Sequence, residues 1–113
     1  MPPILSVRFY CTTTGKEPVR DWLIEQVSVA ARKAIGADIK TVQFGWPIGM
    51  PVVRKMEPGL WEVRSNISEG VARVLFTVVG AEMVLLHGFV KKTQATPKTD
   101  LALALLRMKE VRT

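Results

Sequence analysis

Arg64, Arg73, His87, Lys91 and Lys92 carry side chains able to hold a phosphate and move a proton, and they fall in stretches that alternate like strands. If Asn66 faces Val71 across one loop and Val79 faces Met83 across the next, Arg64 stands opposite Arg73 and Arg73 opposite Phe89. Leu75 then faces His87, and Lys91 lies diagonally beyond Arg73. Like charges facing one another across strands are unfavourable, and Glu62 is the only acid near enough to offset them. Two readings follow: an external anion resolves the conflict at a phosphate-binding face, or the cations decorate a solvated face as Lys and Arg commonly do. His87 has two readings: a proton-transfer group that titrates near neutrality, or a packed strand histidine bonded to backbone.

The whole chain supports a polyanionic partner. Lys and Arg outnumber Asp and Glu by 16 to 10, a formal net charge of +6 on only 113 residues. No basic amphipathic helix with an aromatic face is visible, and no apolar run approaches the ~20 residues of a membrane span, so nucleic acid is favoured over lipid. The N-terminus lacks the basic, apolar and small-residue zones of an export signal, and the expected location is the cytoplasm. The lone Cys11 has no partner for an internal disulfide and is expected to be a buried, inert thiol.

The elements that must position these groups follow from periodicity. Residues 4–11 alternate, with Leu5, Val7, Phe9 and Cys11 on one side and Ser6, Arg8 and Tyr10 on the other, as in a half-buried strand. Pro18 suits the first position of a helix whose Val19, Trp22, Leu23 and Val27 share a face. Ser28 is the expected cap of a second helix bearing Ala31, Ile35, Ile39 and Val42, with Gly45 as a left-handed stop. Trp46 to Pro51 reads as a loop. Residues 53–56, 60–66, 71–79 and 83–90 read as strands in consecutive antiparallel hairpins. Thr96-Pro97 should cap a closing helix with Leu101, Leu105 and Met108 on its buried stripe.

The order β, α, α, β, β, β, β, α predicts one α+β domain over residues 1–113, mainly antiparallel sheet, with an N-terminal helical hairpin on one face and a C-terminal helix. Ala72, Val74, Phe76 and Val78, with Val84, Leu86, Gly88 and Val90, form a wholly apolar or small face that should lie under the helices. Trp22, Trp61 and Phe76 are expected in the core.

Several runs carry a resemblance. Gly59-Leu60-Trp61-Glu62-Val63-Arg64, Ala72-Arg73-Val74-Leu75-Phe76, the motif from Leu85 through His87 and Lys91-Lys92 to Gln94, and Thr96-Pro97 resemble the phage-derived HigB-like toxins of the RelE/ParE superfamily. The likeness extends to the first strand and both N-terminal helices. It implies a RelE-like domain that cleaves mRNA in the ribosomal decoding site, without metal or other cofactor, by attack of the ribose 2′-hydroxyl on the adjacent phosphate. It also implies a small helix-turn-helix antitoxin encoded by a neighbouring gene. In that mechanism Arg64 and Arg73 stabilise the phosphorane-like charge, while His87, or else Lys91 or Lys92, handles the proton. Arg54, Lys55 and Lys92 are then RNA-binding residues.

The resemblance leaves two alternatives. One is a ParE-like inhibitor of DNA gyrase, which shares the fold and needs no catalysis. The other is a degenerate RNA-binding or regulatory protein, because Ala72 stands where many relatives carry an aromatic and Tyr10 is the only tyrosine.

Overall fold

A computed structural model of the chain describes residues 1–93 and 95–113, so Gln94, the last residue of the Leu85 motif, lies outside the described residues. The elements run β1 (Ser6–Phe9), α1 (Pro18–Glu25), α2 (Val29–Gly45), β2 (Val53–Glu57), β3 (Leu60–Ile67), β4 (Gly70–Val79), β5 (Glu82–Lys91) and α3 (Lys98–Arg112). They build an α+β fold on a mixed five-stranded sheet ordered β1-β5-β4-β3-β2. β1 runs parallel to β5, and the remaining pairs are antiparallel. Among the described residues no helix is long and apolar enough to cross a membrane.

Local chemistry accounts for most boundaries. Pro18 opens α1, where its missing N–H is no loss. Arg32 closes that helix by donating from Nε to the Leu23 carbonyl at 2.6 Å and from Nη2 to the Ile24 carbonyl at 3.0 Å. Ser28 caps α2, its hydroxyl accepting from the Ala31 amide at 3.1 Å. The expected left-handed Gly45 is not found, since the positive-φ glycines are Gly15, Gly59, Gly70 and Gly80. The helix stops instead because Trp46 makes the last bond, to the Val42 carbonyl, and Pro47 cannot continue the series. Trp46 then packs edge-on against Trp61 and Phe76, with centroids 4.9 and 5.6 Å away.

Two apolar clusters lie on opposite faces of the sheet. Alternate residues Ala72, Val74 and Phe76 of β4 meet Val19, Ala31, Ile35, Ile39 and Val42 of α1 and α2, whereas Leu75 meets Ala104 of α3 in the other cluster. The helices therefore cover both faces, which corrects the expectation of helices on one. The second face also holds Tyr10, Leu60, Val84 and Leu86.

The cause is a turn and a bulge that compensate. The last hairpin turns over two residues, with Val79 opposite Glu82 rather than Met83. β5 then carries one extra residue, Leu86, between Leu85 opposite Phe76 and His87 opposite Leu75. Beyond the bulge the register is the expected one, with Arg73 opposite Phe89. Before it, parity is inverted, so Met83 and Leu85 join the α1–α2 side while Val84 and Leu86 move beneath α3. Cys11 is a further correction: β1 ends at Phe9, and the thiol is exposed.

Polar contacts tie the far half of α3 to the sheet. Arg107 Nη1 donates to the Leu86 carbonyl at 2.8 Å, and its guanidinium lies 5.1 Å from the Tyr10 ring. The buried Tyr10 hydroxyl donates to Glu110 Oε2 at 2.5 Å. That bond, reinforced by burial, raises the phenol above its ordinary value. The folded state therefore holds the Tyr10 proton more tightly than the unfolded chain does, so the contribution is complete below pH ~10 and fades as pH rises through the raised value. Tyr10→Phe should lower stability by about 1 kcal/mol near neutrality. In urea titrations the gap between the two proteins should narrow as pH rises above ~10.

Candidate phosphate-binding site

β3 and β4 place Arg64 directly opposite Arg73, on the sheet face that α3 covers elsewhere. Glu62 stands two residues before Arg64 on the same side of β3, because side chains alternate. Its carboxylate is fully buried: Oε1 accepts from Arg64 Nη1 at 3.2 Å, and Oε2 accepts from the Thr96 hydroxyl at 2.7 Å. The same Thr96 oxygen accepts from Arg73 Nη1 at 3.4 Å, while Arg73 Nη2 donates to the Thr93 carbonyl. A buried ion pair without further partners is costly, and these bonds satisfy the atoms that the ionic contact leaves over.

Arg73 is itself fully buried. Burial lowers its pKa, Glu62 opposes the shift, and Arg64 and Arg54 deepen it. A guanidinium nevertheless stays protonated in a protein, so the site holds a fixed positive charge. Among the described residues the Arg73 Nε has no hydrogen-bond partner. Its guanidinium lies 5.9 Å from the Phe89 ring centre, and that ring stacks on His87 at 5.7 Å. The His87 Nε2 lies 2.6 Å from Asp100 Oδ1, in the first turn of α3.

The arrangement sorts the basic residues singled out from the sequence. Arg64 retains 11% side-chain exposure and reaches the rim, with Arg73 buried behind it. Arg54 pairs with Glu62 across β2–β3, so it shares their face and is exposed. Lys55 pairs with Trp61, which packs in the α1–α2 cluster, so it projects from the opposite face and does not join the site. Lys91 ends β5 opposite Val71, and both it and Lys92 are exposed. His87 joins the arginines through the Phe89 ring rather than by facing them.

Glu62, the acid expected to offset the arginines, is joined in the network by Thr96 and Asp100, for which the chain offered only a weak signal. Thr96-Pro97 reads as a helix cap, yet the N-cap position belongs to Pro97, with no side-chain capping bond, and the Thr96 hydroxyl is turned to Glu62. Asp100 looks like an acid placed for the helix dipole. Its second role depends on α3 crossing this face, which no local pattern encodes.

Chemically, Glu62 pairs directly with Arg64 and reaches Arg73 through the Thr96 hydroxyl, and Arg54 adds a third cation on the same face. The locus keeps a net positive charge that a phosphodiester would neutralise. Removing the buried carboxylate should expose the conflict: Glu62→Ala is expected to lower stability by about 3–5 kcal/mol, against near zero for the exposed Glu69→Ala. Urea denaturation measures both.

A family model described as Phage derived protein Gp49-like (DUF891) matches residues 22–109. No curated protein matches the chain at a significant level. The match runs from Trp22 in α1 to Lys109 in α3 and so encloses both arginines, Glu62, His87 and Asp100. On that span the chain belongs to the Gp49-like family of phage-derived proteins.

Proposed function

We propose that this protein is the toxin of a type II toxin–antitoxin pair, an endoribonuclease that cuts mRNA on the ribosome. The family is of the RelE/HigB-like toxin type, which supports a toxin role. The observation that carries the reading is Arg64 set directly opposite Arg73, with the Glu62 carboxylate bonded to Arg64 and linked to Arg73 through the Thr96 hydroxyl. Such a locus matches the extra negative charge that develops when a phosphodiester becomes pentacoordinate.

In the reaction the 2′-oxygen forms a bond to phosphorus while the bond from phosphorus to the 5′-oxygen breaks. The products are a 2′,3′-cyclic phosphate and a 5′-hydroxyl. One group takes the 2′-hydroxyl proton and another protonates the leaving oxygen. His87 is the leading candidate, because Asp100 engages Nε2 and leaves Nδ1 for substrate. Lys91 is the second candidate. Arg64 meets the phosphate from the rim, and Arg73 supplies charge from behind. Arg54 and Lys92 hold the flanking backbone, and rRNA and a helix-turn-helix antitoxin are the expected macromolecular partners.

One observation favours a second reading. The Nη1 and Nη2 atoms of Arg73 are already engaged by Thr96 and Thr93, as expected of a protein that binds RNA without cutting it. Purified protein added to ribosomes translating a defined mRNA, followed by mapping of RNA ends, separates the two. The nuclease reading predicts discrete cuts that Arg64→Ala slows by roughly 100-fold or more, with less than about 3-fold loss for the peripheral Lys98→Ala. Intact mRNA on active ribosomes would defeat it.

A further inference from the structure

A cavity of about 240 Å³ lies at the far end of the arginine network, reached through His87. Its walls come from three elements: Trp22 of α1 with its C-cap Gln26, His87 and Gly88 of β5, and Leu103 and Arg107 of α3. It forms where the sheet loses its outer strand. β1 pairs with β5 only as far as Phe9 opposite Leu85, and the last bond on that side runs from the Tyr10 amide to the Leu85 carbonyl. Beyond that point β5 is an edge strand, and its backbone at His87 and Gly88 opens on the cavity.

We propose that this cavity is a base subsite, which takes one unstacked nucleobase of a single-stranded RNA whose phosphate lies at Arg64. The proposal rests on the RNA reading above and adds to it a place where the substrate's base is held. Bases splayed from single strands are held by flat apolar walls and by donors and acceptors along their edges. Trp22 and Leu103 supply the walls, and the Gln26 amide with the β5 backbone supplies both donor and acceptor.

The indole is fixed in advance. A Cβ added at Gly88 would lie 2.5 Å from its ring carbons, so the ring rests on the strand backbone through the space that glycine leaves. Arg107 is likewise held, by the Leu86 carbonyl and the Tyr10 ring, and no carboxylate is among the residues lining the cavity. That charge suits a polyanion better than an acidic lining would. The volume falls below the roughly 300–1,000 Å³ typical of drug-sized ligands, which leaves room for a single base. His87 lines the cavity and also stacks on the Phe89 ring beneath Arg73, so a base bound here lies beside the proton-transfer candidate.

The test uses the full chain, a trinucleotide with 2′-O-methyl groups that prevent cleavage, and its three single-abasic versions. In ¹H–¹⁵N spectra the intact probe should shift the Trp22 indole N–H, the Gln26 side-chain amide and the Gly88 amide. Removal of one particular base should abolish those shifts and weaken binding about tenfold or more, close to 1.4 kcal/mol. Leu103→Trp, which fills the cavity, should erase the difference between the intact and that abasic probe. Gln26→Glu, at an exposed position, should reduce it even if the tryptophan variant folds poorly. Equal binding of all four probes, or shifts confined to the surroundings of Arg64 and Thr96, would overturn the base subsite while leaving the RNA reading intact. Absence of binding by any probe would overturn both, and so would shifts at the cavity produced only by a peptide.

Discussion

Two guanidinium groups facing each other across β3 and β4 set the terms for the rest of this sheet. Left alone, the pair would repel in a setting where water screens little, and burial of Arg73 would be prohibitive. Glu62, fully buried on the same strand face, offsets one charge, and the Thr96 hydroxyl links the carboxylate to Arg73. The compensation is incomplete, because Arg54 adds its charge from β2. A fold that only needed stability would do better with apolar residues at these positions. Retaining the cations makes sense if an anion visits.

The register that creates this confrontation was legible in the chain, but for a reason the chain did not disclose. The pairing of Arg64 with Arg73 follows from alternation and the loop between β3 and β4, and it is found as expected. The pairing of Leu75 with His87 was expected from a three-residue turn; it arises instead from a shorter turn and a bulge at Leu86 whose offsets cancel. The cancellation is local. Val84 and Leu86 sit before or within the bulge and moved to the opposite face, where with Leu60 and Leu75 they form the apolar floor on which α3 rests. Periodicity reports which residues alternate; it does not report where one extra residue switches the side.

The placement of α3 explains the rest of what the chain concealed. Its apolar stripe of Leu101, Leu105 and Met108 was readable from helical spacing, but a stripe does not name the face it meets. Because α3 crosses the arginine side, Thr96 becomes a ligand of Glu62 rather than a cap, and Asp100 becomes the partner of His87. Of the two readings of His87, the packed one is corrected in its partner: Nε2 meets the Asp100 carboxylate rather than a backbone group. Lys55 shows the opposite failure, since one step along β2 from Arg54 carries it to the far side of the sheet.

Whether RNA engages this arginine pair is the most direct question the protein poses. Arginine Nε–H correlation spectra, recorded while a short single-stranded RNA is titrated in at moderate salt, address the two side chains individually. The account predicts that the Arg64 and Arg73 signals move together with a common midpoint, while those of Arg20 on the exposed surface of α1 stay in place. Binding that shifts other arginines and leaves both of these unchanged would contradict it.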